Sequence, residues 1–447
     1  MDLEEMARAL VAEALAAGAR AVDAVVAESD GLGVGVRLRE VEKVKRARQR
    51  RAGLRVFFGE STAVASTADL TGEGLSTLAR DACTLARGTA PDPYAGLPDP
   101  AELARDWPDL DLYDSALEAL DPSQALTWTR EAEAAALDAA PEITNSEGAE
   151  FSSSVGQVAY ASSLGFTGVY RGSHASLSVV PVATRDGAMQ RDAWFTAHRK
   201  LAGLESPASV GGEAARRTLR RLGARRAPTR ECPVVFDPET AATLLRHLAG
   251  ALAGPALYRR MSFLLGRLGE TVAASAFTVV DDPLRPAAPG SRPFDGEGDA
   301  QRRRTVIERG VLTTYLLDSY SARRLGLRPT GHATRGVGDV PSAAPTNFFV
   351  EPGPHSPEAI VASVREGLYV TELIGFGVNP FMGDYSRGAV GLWIENGELA
   401  YPVEEITIAG NLSDMLRDVE MVGNDLRLRT ALAAPTLKIA RMTVAGT

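Results

Sequence analysis

The sequence is poor in the residues on which much enzyme chemistry rests. Its 447 residues include two cysteines, five histidines and, among 48 basic residues, only four lysines, at Lys43, Lys45, Lys200 and Lys438. Cys83 and Cys232 stand far apart in the chain, which excludes a disulfide framework and a four-thiolate zinc centre. Cys83 falls inside a predicted helix and Cys232 precedes a proline at a strand start, so both read as small buried hydrophobes rather than nucleophiles. No lysine lies in a G-x-x-x-x-G-K-[ST] setting, which excludes a Walker-type nucleotidase. There is no G-x-S-x-G nucleophile elbow. The histidines, His174, His198, His247, His332 and His355, are scattered, with no two placed to share one helix face. Long apolar runs are missing as well: residues 248–257 form the least polar stretch, too short to span a bilayer. The acidic start Met1-Asp2-Leu3-Glu4-Glu5 has no positive segment leading into an apolar one. These absences predict a cytoplasmic protein with no membrane partner.

What is present describes a folded chain. Hydrophobic residues make up 45% and charged residues 23%, the balance of an ordinary globular protein, and the length suits two or three domains. The formal charge of −9 argues against a nucleic-acid partner. Basic residues between Arg37 and Arg55 nearly alternate with apolar ones, which fits the solvated face of a sheet better than a nucleic-acid patch.

Leu3, Met6, Leu10 and Leu15 recur near helical spacing before a stop at Gly18. Short runs over residues 21–27, 34–41, 53–58 and 62–67 read as antiparallel strands. Helices are predicted over 72–87 and 121–140, the second opened by Asp121-Pro122-Ser123-Gln124, with Asp121 as cap and Gln124 where a capping box places its partner. Residues 143–199 alternate in short segments, and Asp186-Gly187 predicts a hairpin turn. Residues 212–230 carry Arg216, Arg217, Arg220, Arg221, Arg225 and Arg226 and read as a solvated helix leading into an interdomain linker. The chain thus divides near residue 228. The predicted fold class is α+β: a helix and antiparallel-sheet domain over 1–227, then a mainly antiparallel-β domain with a few helices over 228–447. In the latter, hairpins are predicted at Gly310 and at Asn396-Gly397.

Few residues in this frame carry chemistry. In Phe294-Asp295-Gly296-Glu297-Gly298 the carboxylates would suit an acid/base pair, but the glycines make a tight turn the simpler reading. The helix after Asp237 is where a zinc site would be sought, because a helical site needs two histidines about one turn apart. It holds His247 alone, which reads as a packed residue.

Several strings in this half are specific. They include Val235-Phe236-Asp237-Pro238-Glu239, Leu244-Leu245-Arg246-His247-Leu248-Ala249-Gly250 and Tyr258-Arg259-Arg260-Met261-Ser262-Phe263-Leu264. With them stand Phe294-Asp295-Gly296-Glu297-Gly298, Gly375-Phe376-Gly377-Val378-Asn379-Pro380, Gly383-Asp384-Tyr385-Ser386-Arg387-Gly388 and Trp393-Ile394-Glu395-Asn396-Gly397. On these the chain resembles the TldD/PmbA family, in its PmbA (TldE) branch. The resemblance implies a two-subunit cytoplasmic metalloprotease that degrades or trims unfolded peptides. In that family the TldD-type subunit carries an H-E-x-x-x-H helix and a later cysteine. Here the two histidine positions of that motif fall on Arg246 and Ala251 and its glutamate on His247, and no cysteine follows Cys232. The resemblance therefore implies a subunit with no metal ligands or catalytic residues of its own, zinc being expected in a TldD-like partner. The segment carrying Phe376, Asn379, Phe381, Asp384, Tyr385 and Arg387 is the candidate for lining a peptide chamber or meeting that partner, or a second copy of the chain. Two other readings stay open. One is a stand-alone homodimeric metallopeptidase drawing ligands from His247, His332 or His355. The other is a non-enzymatic binding protein of the DNA gyrase modulator type.

Overall fold

Helix Leu3–Ala16 opens the chain because Asp2 and Glu5 close a reciprocal capping box on its first turn. Its buried stripe is Leu3, Met6, Ala7, Leu10, Val11 and Ala14, while Leu15, one of the residues that signalled the helix, lies outward. The chain then enters a seven-stranded antiparallel sheet built from β1 (Ala21–Arg37), β2 (Glu40–Phe58), β3 (Ser61–Thr67), β4 (Ile143–Ser162), β5 (Thr167–Arg185), β6 (Ala188–Arg191) and β7 (Trp194–His198). The order is β3-β2-β1-β4-β5-β6, with β7 also on β5. The computed structural model describes residues 1–446.

β1 and β2 are far longer than the apolar runs predicted. Gly31, Gly33 and Gly35 interrupt the hydrophobic pattern of β1, yet it stays paired to β2 and β4 through them. Residues 40–51 of β2 are exposed or nearly so, and β3 covers only residues 52–58, so the outer edge of this basic stretch is unpaired. The solvated-face reading holds here, where Arg46 pairs with Asp30 and Arg48 with Glu28. The Asp186-Gly187 turn forms as expected, both residues taking positive φ (53° and 80°) between β5 and β6.

One face of the sheet is roofed by two helix pairs. Helices Leu3–Ala16 and Gly72–Arg87 cover Val22, Ala24, Leu54 and Val56. Helices Pro122–Leu137 and Pro207–Leu219 cover Leu32, Val34, Phe151 and Leu177. Asp121 caps the first of this second pair through the Ser123 N–H (2.7 Å), with no capping box to Gln124.

The opposite face meets the C-terminal half. There a six-stranded sheet runs in the order Glu398–Asn411, Asp384–Glu395, Glu366–Ile374, Arg230–Phe236, Leu437–Ala445, Val419–Val422, beside smaller sheets of five and two strands. Most pairings are antiparallel, and two are parallel, Leu368 with Val234 and Phe348 with Leu432. The hairpins at Gly310 and Asn396-Gly397 both turn where expected. The α+β class is what the chain adopts.

Two polar seams join the halves. Asp23 and Arg55 are direct cross-strand partners on β1 and β2, and the Arg55 Nε donates to Asp23 at 3.0 Å. From the other half, Arg335 donates to Asp23 (2.6 Å), and Glu297 accepts from Arg55 (3.2 Å). All four side chains are at most 5% exposed. Burial alone would raise the Asp23 carboxyl; the guanidiniums of Arg335 and Arg55 outweigh it and hold the group below the usual carboxylate range. The approach is close enough that a Cβ on Gly53 would fall 1.4 Å from the Val337 carbonyl oxygen.

The second seam corrects the sequence reading of residues 212–230. The helix there ends at Leu219, and Arg217 and Arg221 are buried, not solvated. Arg217 faces Asp192 (3.4 Å) and Asp237 (3.5 Å), and Arg221 pairs with Glu372 (2.6 Å). The arginines that looked like surface charge clamp one half onto the other. A strap over residues 88–114 adds to this: the Arg323 guanidinium donates to the carbonyls of Tyr94, Gly96 and Leu97.

Breaking a buried ion network from one side leaves uncompensated charge, typically at a cost of ~3–5 kcal/mol. Asp23→Ala, which strands Arg55 and Arg335 inside, should lose stability on that scale in urea denaturation. Arg46→Ala, on a solvent-exposed pair, should leave the midpoint unchanged.

Candidate functional site

Strand Arg230–Phe236 runs straight into helix Pro238–Leu252, where Asp237 caps by accepting from the Thr240 N–H (2.9 Å) and Pro238 takes the first turn. Ala241, Leu244, Leu245, Leu248 and Leu252 face the core of the C-terminal half, against Val234, Phe236 and Trp393. This fixes the rotation of the helix and so the fate of the three motif positions. Arg246 points to solvent, His247 is half-buried, and Ala251 is fully buried.

His247 lies edge-on to Tyr385, ring centroids 6.3 Å apart. Burial, then the nearby guanidiniums of Arg387 and Arg246, push its imidazole below the ordinary value, so it is neutral at pH 7. Two cations beside a single imidazole suit a dication poorly. Among the described residues no group of three or more His, Cys, Asp or Glu side chains is arranged to hold a metal ion. The donor set at this helix does not fit a metal. The other histidines considered as ligands sit elsewhere. His332 is buried between Thr330 (2.7 Å) and Asp281 (3.2 Å), and His355 lies in a loop bridged to Gly423.

The segment over residues 375–383 connects strands Glu366–Ile374 and Asp384–Glu395, with Gly375 and Gly383 both at positive φ. Asn379 organises it, its side-chain oxygen accepting from the Phe381 N–H (3.0 Å). Phe376 is wholly exposed, and Phe381 and Met382 are each more than half exposed. The adjoining loop, tied on through Phe263 N–H to the Pro380 carbonyl (3.4 Å), adds exposed Met261, Leu265 and Leu268. Asp384 also faces solvent, and Arg387 donates to the Leu373 carbonyl (3.2 Å). Tyr385 points the other way: it is 1% exposed, inside the core. Of the six residues singled out here, Phe376, Asn379, Phe381 and Asp384 thus share an exposed tip rich in apolar surface, the kind of patch that marks an interaction site.

The acidic turn at Phe294 is no acid/base pair open to substrate. Asp295, Glu297 and Asp299 are each at most 3% exposed. Asp295 closes the turn by accepting from the N–H groups of Glu297 (2.8 Å) and Asp299 (2.9 Å), while Glu297 belongs to the seam with Arg55 and accepts from the Ser319 N–H (2.9 Å). Glycine spacing gave the turn; nothing local gave the seam, because the Arg55 that Glu297 meets lies 242 residues away.

This fold occurs in known proteins. Residues 22–86, 115–222 and 229–446 match, in turn, the family models described as PmbA/TldA metallopeptidase domain 1, central domain and C-terminal domain. The chain belongs to the PmbA/TldD metallopeptidase family, on its PmbA branch. It is 40% identical to the protein named metalloprotease PmbA of Escherichia coli O157:H7, over 95% of this chain and 92% of that one. A crystal structure from Bacteroides thetaiotaomicron, described as a candidate modulator of DNA gyrase, superposes with a TM-score of 0.93 at 28% identity, covering 99% of both chains. TldE from Thermococcus kodakarensis has the same fold, with a TM-score of 0.89 at 21% identity over 99% of this chain and all of that one.

Burial, with Asp295 and Glu297 close by, pushes the Asp299 carboxyl up to about 9. The unfolded chain releases that proton near pH 4, so between there and about pH 9 the folded state holds the extra proton. Stability from this group therefore falls as pH rises through that window. Asp299→Asn, neutral throughout, should gain on the parent steadily from pH 5 to 9 in urea midpoint; a gap that does not change with pH contradicts the assignment.

Proposed function

We propose that this chain is the metal-free member of a two-subunit cytoplasmic metalloprotease acting on unfolded peptides. The observation that carries the reading is the helix Pro238–Leu252, which presents Arg246, His247 and the buried Ala251 where a TldD-like subunit would bring its motif. Any zinc of the assembly belongs in the homologous partner, and no catalytic step is assigned to this chain. Its contribution is shape and surface. The apolar tip at Phe376 and Phe381 is the contact offered to the partner or to peptide. The unpaired edge of β2 over residues 40–51 offers backbone groups to an extended chain, a mode of binding tolerant of sequence. No helix among the described residues is long and apolar enough to cross a membrane. The identity to a protein named metalloprotease PmbA supports the peptidase assignment. The modulator name carried by a structural relative supplies a second reading, though the charge of −9 argues against direct DNA contact.

The test mixes the purified chain with a TldD-like partner and follows size-exclusion elution and hydrolysis of an unfolded peptide. A complex of the two chains with peptidase activity neither shows alone is expected, and Phe376→Ser with Phe381→Ser should weaken the complex at least about tenfold if the tip is the contact. Absence of both complex and activity rejects the reading, and salt-sensitive binding of duplex DNA would favour the second one.

A further inference from the structure

Beside helix Pro238–Leu252 lies a concave pocket of about 380 Å³, facing away from the apolar core. Arg246 and Thr243 line it from the helix, Phe195 from β7, and Arg427, Arg429 and Leu432 from the segment leading into strand Leu432–Ala433. Both halves of the molecule therefore contribute a wall.

The charges in this pocket do not cancel. Arg429 is committed: it donates to Glu205 (2.7 Å) and Glu239 (3.1 Å) and stacks over Trp194 at 4.1 Å. Glu239, a carboxylate lining the pocket, is held by that bond, with Arg217 a further 4.0 Å contact. Arg246 and Arg427 are exposed, and neither has an ion-pair or hydrogen-bond partner among the described residues. The pocket thus presents two uncommitted guanidiniums above an apolar floor of Phe195, Leu432 and alanines. Beside them, strand Leu432–Ala433 ends its five-stranded sheet and is paired on one side only, with Phe348 and Phe349.

We propose that this pocket binds the C-terminal carboxylate of an extended peptide, gripped by Arg246 and Arg427. The guanidinium fork matches a carboxylate in two parallel hydrogen bonds, and Arg stays charged at any working pH. Small apolar side chains of the last peptide residues rest on Phe195 and Leu432. A nucleic-acid backbone would need a basic track, whereas here two exposed cations sit in one concavity on an acidic protein. The inference deepens the peptide-handling reading above: the position that would hold a metal ligand in a TldD-like chain here supplies an anion grip.

The test uses the isolated chain, so it does not depend on a partner; failure to form a two-chain complex would leave it standing. Acetyl-pentaalanine with a free carboxylate, its C-terminal amide and inorganic phosphate are each titrated by calorimetry. The free acid should bind at least about tenfold more tightly than the amide and than phosphate. Arg246→Gln and Arg427→Gln, both exposed, should each bring the acid down to the amide's affinity without moving the urea midpoint. Equal binding of acid and amide, binding of the acid unaffected by either substitution, or phosphate binding as tight as the acid would overturn the proposal.

Discussion

The structure depends on one buried meeting of charges. Asp23 sits on β1 with Arg55 across the ladder, and neither could stay buried on the N-terminal sheet alone. Arg335 and Glu297 arrive from the other half to complete the set, two anions with two cations, all nearly free of solvent. An ion set this deep gains little over apolar packing but costs heavily when incomplete, so its effect is to specify one arrangement of the halves. The glycines beneath it agree: Gly53 lies directly under the Val337 carbonyl, and Gly168 would meet the Phe294 ring.

That single arrangement sets the surroundings of helix Pro238–Leu252. Its N-terminal end is pinned to the N-terminal sheet through Arg217, Asp237 and Asp192, and Arg429 ties Glu239 to Glu205. Burial first, with Glu239 beside it, raises the Asp237 carboxyl despite the opposing Arg217. The helix is therefore held by polar contacts at one end and leucines along one side. What remains outward is Arg246, on a wall shared by both halves. Of the three motif positions on this helix, Arg246 alone is exposed, with His247 half-buried and Ala251 inside.

Much of this was legible in the sequence where the signal was local. The turns at Asp186-Gly187, Gly310 and Asn396-Gly397 follow from positive-φ chemistry, and the caps at Asp121 and Asp237 from short side chains ahead of a helix-opening proline. The motif positions Arg246, His247 and Ala251 are legible because the strings around them are specific. Most of the misses are long-range. Arg217 and Arg221 read as surface charge because their carboxylates lie on other elements. The full length of β1 and β2 is hidden in the sequence because glycine and arginine break the apolar alternation, although neighbouring strands keep them paired. Tyr385 adjoins the exposed tip in sequence, and strand alternation turns it into the core. Arg427 carried no signal, since its meaning comes from Arg246 across the pocket.

The claim that organises this account is that the chain has the family's fold without a metal centre. The most direct measurement is elemental analysis of the purified, full-length chain after dialysis against a mild chelator. The account predicts no stoichiometric transition metal. About one tightly held zinc per chain would contradict it, because such affinity needs a closed set of protein ligands.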